Sequence, residues 1–127
     1  MAETKIRPNK ITNVVVPVAD PDAAIAFYAK LGFDVRVDVP FGGGLRWVEV
    51  ALGDETTTIA LAPPPEGKPA GNRETGITLQ TDDIDDLHAQ LTAEGVDVDA
   101  EVMRMGDPVP PMFWFRDPEG NSLLIVQ

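Results

Sequence analysis

The feature that most constrains the fold of this chain is an internal repeat. The segment ITNVVVPVADPDAAIAFYAKLGFDV begins at Ile11, and the segment TGITLQTDDIDDLHAQLTAEGVDV begins at Thr75. Both run from an apolar stretch through an aspartate, Asp20 or Asp83, into a helical pattern that ends at a glycine. The element types agree as well as the letters, which favours two copies of one supersecondary unit over a chance match. We therefore expect one domain over 1–127, with unit one at about 11–62, a linker at about 63–74 and unit two at about 75–127.

Each copy has the pattern of one helix and four strands in the order βαβββ. In the first copy an apolar strand precedes Asp20-Pro21, a helix N-cap followed by proline at the first helical position. Apolar residues then recur at helical spacing until Gly32 ends the helix. The predicted strands are 11–18, 33–39, 45–52 and 56–61 in unit one and 77–81, 96–103, 112–116 and 122–126 in unit two, with helices at 21–31 and 84–94.

Alternation along the strands separates two faces of the predicted sheet. One face, which we expect to pack under the helices, has large aliphatic side chains. These are Val14, Val16, Ile59, Leu61, Ile77, Leu79, Leu123 and Ile125. The opposite face, called the cup face below, is mostly small or weakly polar. It carries Asn13, Val15, Thr58, Ala60, Gly76, Thr78, Gln80, Ser122 and Leu124. Such a face suits a concave surface with room for a ligand; coverage by a partner subunit is the alternative.

The composition argues against several classes of function. Asp and Glu number 21 against 10 Lys and Arg, and the net charge of −11 disfavours nucleic-acid binding, because phosphate contacts need clustered cations. The chain has no cysteine and one histidine, His88, so thiolate sites and sites with several imidazoles cannot form. No apolar run reaches the length of a membrane span, and the N-terminus lacks an apolar signal segment. We expect a cytoplasmic protein with no nucleic-acid or membrane partner.

Two segments carry a resemblance to a known family. The opening ITNVVVPVADPDAAIAFYAKLGF and the closing FWFRDPEGNSLLIVQ, with its DPEGN turn at 117–121, resemble the vicinal-oxygen-chelate superfamily. That superfamily contains glyoxalase I, extradiol dioxygenases, fosfomycin-resistance enzymes and bleomycin-resistance proteins. The resemblance implies an α+β fold in which tandem βαβββ units form a cupped, eight-stranded mixed sheet with the helices on its outer face. It also implies a homodimer.

Metal-dependent members of that superfamily place their ligands at corresponding points of the two units. Those points fall here on Asn13, Gly76, Leu124 and Ala60. A divalent metal needs charged oxygens or neutral imidazoles, usually from three protein ligands, and these side chains cannot supply them. We therefore expect no metal and no other cofactor, which disfavours the metal-dependent reactions of the family.

Since the metal-dependent reactions are disfavoured, the resemblance implies a binding protein of the bleomycin-resistance type. The expected ligand is a hydrophobic or aromatic small molecule, with an antibiotic as the expected class, bound without chemical modification. An acidic surface also favours a cationic ligand. Two alternatives stay open. One is an enzyme that acts on a small molecule in the same cup, either a glyoxalase-like lyase or isomerase or one that uses Glu49, Arg46 or Asn13 without a metal. The other is a structural or regulatory dimer without a ligand.

The expected ligand-binding residues lie on the cup face and in the loops at its rim. Trp47 and Glu49 alternate with Val48 and Val50, which belong under the helices, and Trp114 alternates with two phenylalanines in the same way. An indole stacks on flat aromatic ligands and attracts cations to its face. Core packing or a dimer contact is the alternative for the tryptophans, and a cap over the core is the alternative for the methionines. The set is Trp47, Trp114, Glu49, Phe41, Asn13, Met103, Met105 and Met112, with no catalytic residue.

Overall fold

The computed structural model describes residues 5–127 and contains both predicted βαβββ units. Unit one consists of β1 (Asn13–Pro17), α1 (Pro21–Lys30), β2 (Phe33–Pro40), β3 (Arg46–Leu52) and β4 (Thr58–Ala62). Unit two consists of β5 (Glu74–Gln80), α2 (Ile84–Ala93), β6 (Asp97–Val98), β7 (Met112–Arg116) and β8 (Ser122–Val126). The α+β class is confirmed, and β7 and β8 have their predicted bounds. Residues 1–4 lie outside the described residues. They include the start of the predicted domain and of the N-terminal segment that is expected to lack a signal.

Each unit forms a four-stranded mixed sheet, and the two sheets repeat one topology. The strand orders are β1-β4-β3-β2 and β5-β8-β7-β6. β1 runs parallel to β4 and β5 runs parallel to β8, while the other neighbours are antiparallel. The eight predicted strands are therefore divided into two sheets of four within the described chain. β1 and β5 are edge strands, so each has backbone groups free to pair.

The strand predicted over 96–103 is wrong beyond residue 98. β6 has only two residues, which pair with the end of β7. The carboxylate of Asp99 then accepts a hydrogen bond from the backbone N of Trp114 (3.2 Å). The chain next pairs with β7 at Met103, which forms an isolated bridge with Met112. The Asp99 side chain thus accepts a backbone hydrogen bond from β7 that a longer β6 would accept through its own backbone. The alternation of apolar and polar residues along the sequence does not reveal such a competing side-chain bond.

Both helices begin where the sequence predicts. The carboxylates of Asp20 and Asp83 each accept a hydrogen bond from the backbone N three residues later, at 3.1 and 3.0 Å. Gly32 and Gly95 follow the helices with φ of 94° and 79°, a conformation that favours glycine. Within residues 5–127, no helix combines the length and the apolar character needed to cross a membrane.

One hydrophobic core joins the two units. Of the predicted aliphatic face, Val14, Ile77 and Leu79 are only half-buried, and all three lie on the edge strands β1 and β5. Phe27 of α1 packs against Phe115 of β7, with 6.2 Å between the ring centroids, so the helix of unit one covers part of the sheet of unit two. The largest fully buried side chains include Tyr28, Phe113, Phe115, Leu61, Ile84, Leu91, Leu123 and Ile125.

The DPEGN turn between β7 and β8, at 117–121, ties unit two to the segment that precedes α1. The carboxylate of Glu119 accepts a hydrogen bond from the backbone N of Ala19 (2.7 Å). The fully buried Asn121 donates from Nδ2 to the carbonyl of Pro17 (3.1 Å). These bonds and the shared core join the two units into one body.

Candidate functional site

β3 carries two of the predicted site residues on the cup face. Trp47 and Glu49 are half-buried, whereas Val48 and Val50, which alternate with them, are 0% and 1% exposed. The indole Nε1 of Trp47 donates a hydrogen bond to Glu49 Oε2 (2.7 Å), and the hydroxyl of Thr58 on β4 donates one to Glu49 Oε1 (2.5 Å). Donors on two neighbouring strands therefore hold both oxygens of this carboxylate.

These contacts favour the ionised form of Glu49. The hydrogen bonds from Thr58 and then Trp47 hold the pKa of the Glu49 carboxyl below its ordinary value, and the positive charge of Lys10 acts in the same direction. Partial burial acts the other way and is outweighed. At neutral pH the cup face thus carries a fixed negative charge beside an indole ring.

Phe41 adds a second aromatic ring at the tip of the β2–β3 hairpin. Its ring centroid lies 6.4 Å from that of Trp47 with an interplanar angle of 80°, an edge-to-face arrangement. Phe41 is 50% exposed. The turn that carries it contains three successive glycines, 42–44, all with positive φ. We call Phe41, Trp47, Glu49 and Thr58 the unit-one cluster.

Trp114 on β7 heads a second group of predicted residues. Its neighbours Phe113 and Phe115 are fully buried, while Trp114 is half-buried and lies on the opposite face of the strand. Met112 precedes it by two residues on the same face, and the backbone N of Met103 donates to the Met112 carbonyl (2.7 Å). We call Met103, Met112 and Trp114 the unit-two cluster.

The structure thus places the predicted ligand-binding residues in two clusters on separate sheets. Asn13 lies on β1 opposite Thr58 in the register, next to the unit-one cluster. Met105 follows Met103 in the loop before β7 and is 61% exposed. The sequence placed Thr58 on the cup face but did not reveal its contact with Glu49. That contact depends on the pairing of β3 with β4, which no spacing along the chain shows.

Two clefts lie near the clusters or beyond them, and the larger one borders the unit-one cluster at Thr58. One, of about 630 Å³, is lined by residues of β4 and β5 that include Ile59 and Leu79. The other, of about 600 Å³, lies at the DPEGN turn and includes Arg116. Neither is lined by Trp47 or Trp114. A ligand that contacts either tryptophan would therefore extend outside these two clefts.

The positions that correspond to metal ligands in the superfamily lie on strands β1, β4, β5 and β8, as the repeat predicts. They are occupied by Asn13, Ala60, Gly76 and Leu124. These residues provide neither a charged oxygen nor an imidazole, so the donor set does not fit a divalent metal. Across the described range 5–127, no three His, Asp or Glu side chains are grouped so as to hold a metal ion. His88 lies on α2, where its ring packs edge-on against Phe113, 4.9 Å between centroids.

The repeated βαβββ topology indicates the class to which the protein belongs. The profile of the Glyoxalase/Bleomycin resistance protein/Dioxygenase superfamily matches residues 10–125. The chain therefore belongs to this superfamily, as the resemblance implied.

Several known proteins are similar to this chain over nearly its whole length. TnmS3, described as an antibiotic binding protein from Streptomyces sp. CB03234, is 32% identical, with a TM-score of 0.81 over 97% of this chain and 98% of that chain. A superfamily member from Sphaerobacter thermophilus DSM 20745 is 30% identical, with a TM-score of 0.83 over 94% and 97% of the two chains. The uncharacterized protein YetH of Bacillus subtilis (strain 168) is 29% identical over 124 residues, or 93% of this chain and 98% of YetH.

Proposed function

We propose that this protein binds a hydrophobic, aromatic small molecule of the antibiotic class and sequesters it in the cytoplasm, without a metal and without chemical change. The observation that carries the proposal is the unit-one cluster, in which an indole, a phenyl ring and a fixed carboxylate lie together on or beside the cup face. Such a surface can stack on a flat ligand. The 32% identity to TnmS3 over almost the full length supports the same conclusion.

Binding alone would be enough to protect a cell, because a tight complex lowers the concentration of free drug by mass action. Two features favour binding over a glyoxalase-like reaction. The family's metal-ligand positions hold Asn, Ala, Gly and Leu, which do not suit a catalytic divalent ion. The lowered pKa of Glu49 also makes its carboxylate a weak general base at neutral pH.

Titration with acridine, a planar dye that is uncharged in mildly alkaline buffer, and with planar aromatic antibiotics tests this function. We expect saturable quenching of tryptophan fluorescence by acridine and by at least one of the antibiotics. Protein dialysed against EDTA should bind equally well and melt at the same temperature, because no metal contributes. Mass spectrometry should recover each bound compound unchanged. Conversion of the compound, or one tightly bound transition metal per chain, would contradict the proposal.

We further propose that a second copy covers the sheet edges and closes the cups in a homodimer, which leaves room for the ligand inside each cup. Val15, Val39 and Phe41 are 48%, 47% and 50% exposed on or beside the cup face of unit one. The edge strands β1 and β5 also have unpaired backbone. Proteins usually cover apolar patches and free edges of this kind.

Sedimentation velocity at micromolar concentration should therefore show a species of twice the chain mass. Val15→Asp should shift it toward the monomer, because the new charge would be buried in the interface. Val35→Asp is the matched control, since Val35 is 44% exposed but shares the opposite sheet face with Val50. A stable monomer of the unchanged chain, or equal dissociation by both variants, would count against this assembly.

A further inference from the structure

Glu49 has unused capacity to bind a ligand. Its two oxygens accept hydrogen bonds from Trp47 and Thr58, whereas an ionised carboxylate can accept about four. Among residues 5–127, Glu49 takes part in no ion pair. Free acceptor positions therefore remain on a carboxylate that its neighbours keep charged.

Two cationic side chains in the neighbourhood of this carboxylate, Lys10 and Arg46, have other partners. Lys10 lowers the pKa of Glu49 through its charge, but its ammonium donates to the carbonyl of Thr56 (3.0 Å) and makes no ion pair with Glu49. Arg46, which adjoins Trp47 in sequence, pairs with two aspartates at 2.8 Å each. A positive charge brought by a ligand would thus meet a carboxylate without a paired counter-ion.

The indole beside Glu49 favours the same ligand chemistry. A cation is attracted to the face of a tryptophan ring, more strongly than to tyrosine or phenylalanine. Because the indole N–H is hydrogen-bonded to the carboxylate, the orientation of the ring is fixed relative to the negative charge. The net charge of −11 adds a long-range attraction for cations.

We propose that Glu49 determines the specificity of the cup face and selects a planar aromatic ligand that carries a protonated amine or a similar N–H cation. The rings of the ligand stack on Trp47, and its N–H group donates to Glu49. This inference rests on the proposed function, because it names the chemical class of the ligand for the same surface. The unit-two cluster, which has no carboxylate among its members, contributes apolar contact only.

Paired dyes and paired variants test the inference. The probes are 9-aminoacridine, which is protonated in mildly alkaline buffer, and acridine, its uncharged parent. Glu49→Gln keeps the side-chain length and one oxygen acceptor but removes the charge. Glu55→Gln is the matched control, because it removes the same charge from an exposed residue just after β3. Affinities are measured by tryptophan quenching and by calorimetry, with circular dichroism to verify folding.

We expect the unchanged protein to bind 9-aminoacridine about tenfold more tightly than acridine, and Glu49→Gln to remove most of that preference. Affinity for acridine should change by less than about twofold in either variant, and Glu55→Gln should keep the preference. Equal binding of the two dyes by the unchanged protein, or a preference that survives Glu49→Gln, would overturn the inference while leaving the proposed function intact. If neither dye nor any planar aromatic antibiotic bound, the proposed function and the inference would both fall.

Discussion

Asp117→Ala should lower the free energy of unfolding by about 3–5 kcal/mol, the largest stability effect that we expect from a single polar side chain. Asp117 is 5% exposed, and its carboxylate accepts four hydrogen bonds. Two come from the backbone N of Glu119 and of Asn121 (2.9 Å each). The others come from the Tyr28 hydroxyl (3.1 Å) and Asn121 Nδ2 (3.0 Å). Removing the carboxylate leaves these donors short of a partner, some of them in the core, at about 1–3 kcal/mol each.

Tyr28→Phe is the matched control, because it removes one donor and leaves the turn intact. Burial, and then the charge of Asp117, raise the pKa of Tyr28 above its ordinary value, so the hydroxyl stays protonated and remains a donor. Its loss should lower the free energy of unfolding by about 1 kcal/mol. Urea denaturation followed by circular dichroism measures both variants. An Asp117→Ala protein as stable as Tyr28→Phe would show that the turn does not hold the two units together.

Trp47→Ala and Trp114→Ala should each weaken the binding of a planar aromatic probe by about ten- to a hundredfold, as expected for an aromatic anchor. Both indoles are half-buried, so most of each protein's stability should remain. A tryptophan packed in the core would instead cost about 3–5 kcal/mol of stability when truncated. Affinity is measured by fluorescence or calorimetry, and stability is measured by thermal unfolding. The two measurements together distinguish a tryptophan that contacts the ligand from one that packs in the core.

Phe113→Ala is the control for Trp114, because the two residues are adjacent on β7 and face opposite ways. Phe113 is fully buried, so its truncation should lower the melting temperature strongly and leave the affinity of the folded fraction unchanged. Tryptophan variants that behaved like Phe113→Ala would place the indoles in the core and remove the aromatic surface from the proposed function.

Much of the fold could be predicted because it depends on neighbours along the chain. The caps at Asp20 and Asp83 bond to a backbone N only three residues away. The bounds of β7 and β8 follow from strict alternation and from the turn between them. The strand predicted over 96–103 failed because the side chain of Asp99 bonds to β7 and interrupts the ladder.

The cup-face orientation of Trp47 and Glu49 also followed from local alternation, since Val48 and Val50 are buried. The chemical environment of Trp47 and Glu49 did not follow from that alternation. The hydrogen bond that helps to keep Glu49 ionised comes from Thr58, on another strand, and it exists only in this register. The pKa shift of a carboxyl depends on which donors the fold brings to it, and alternation does not contain that information.

The sequence by itself determined that this chain contains two βαβββ units, where its helices start and stop, and which side chains turn away from the core. Each of these features arises from periodicity or from contacts a few residues apart. Only the tertiary structure decided how the units join and that the two tryptophans lie on separate sheets. The bond between Glu119 and Ala19 spans 100 residues, and that between Tyr28 and Asp117 spans 89. Contacts at such separations depend on the packing of the whole core, which no local pattern specifies.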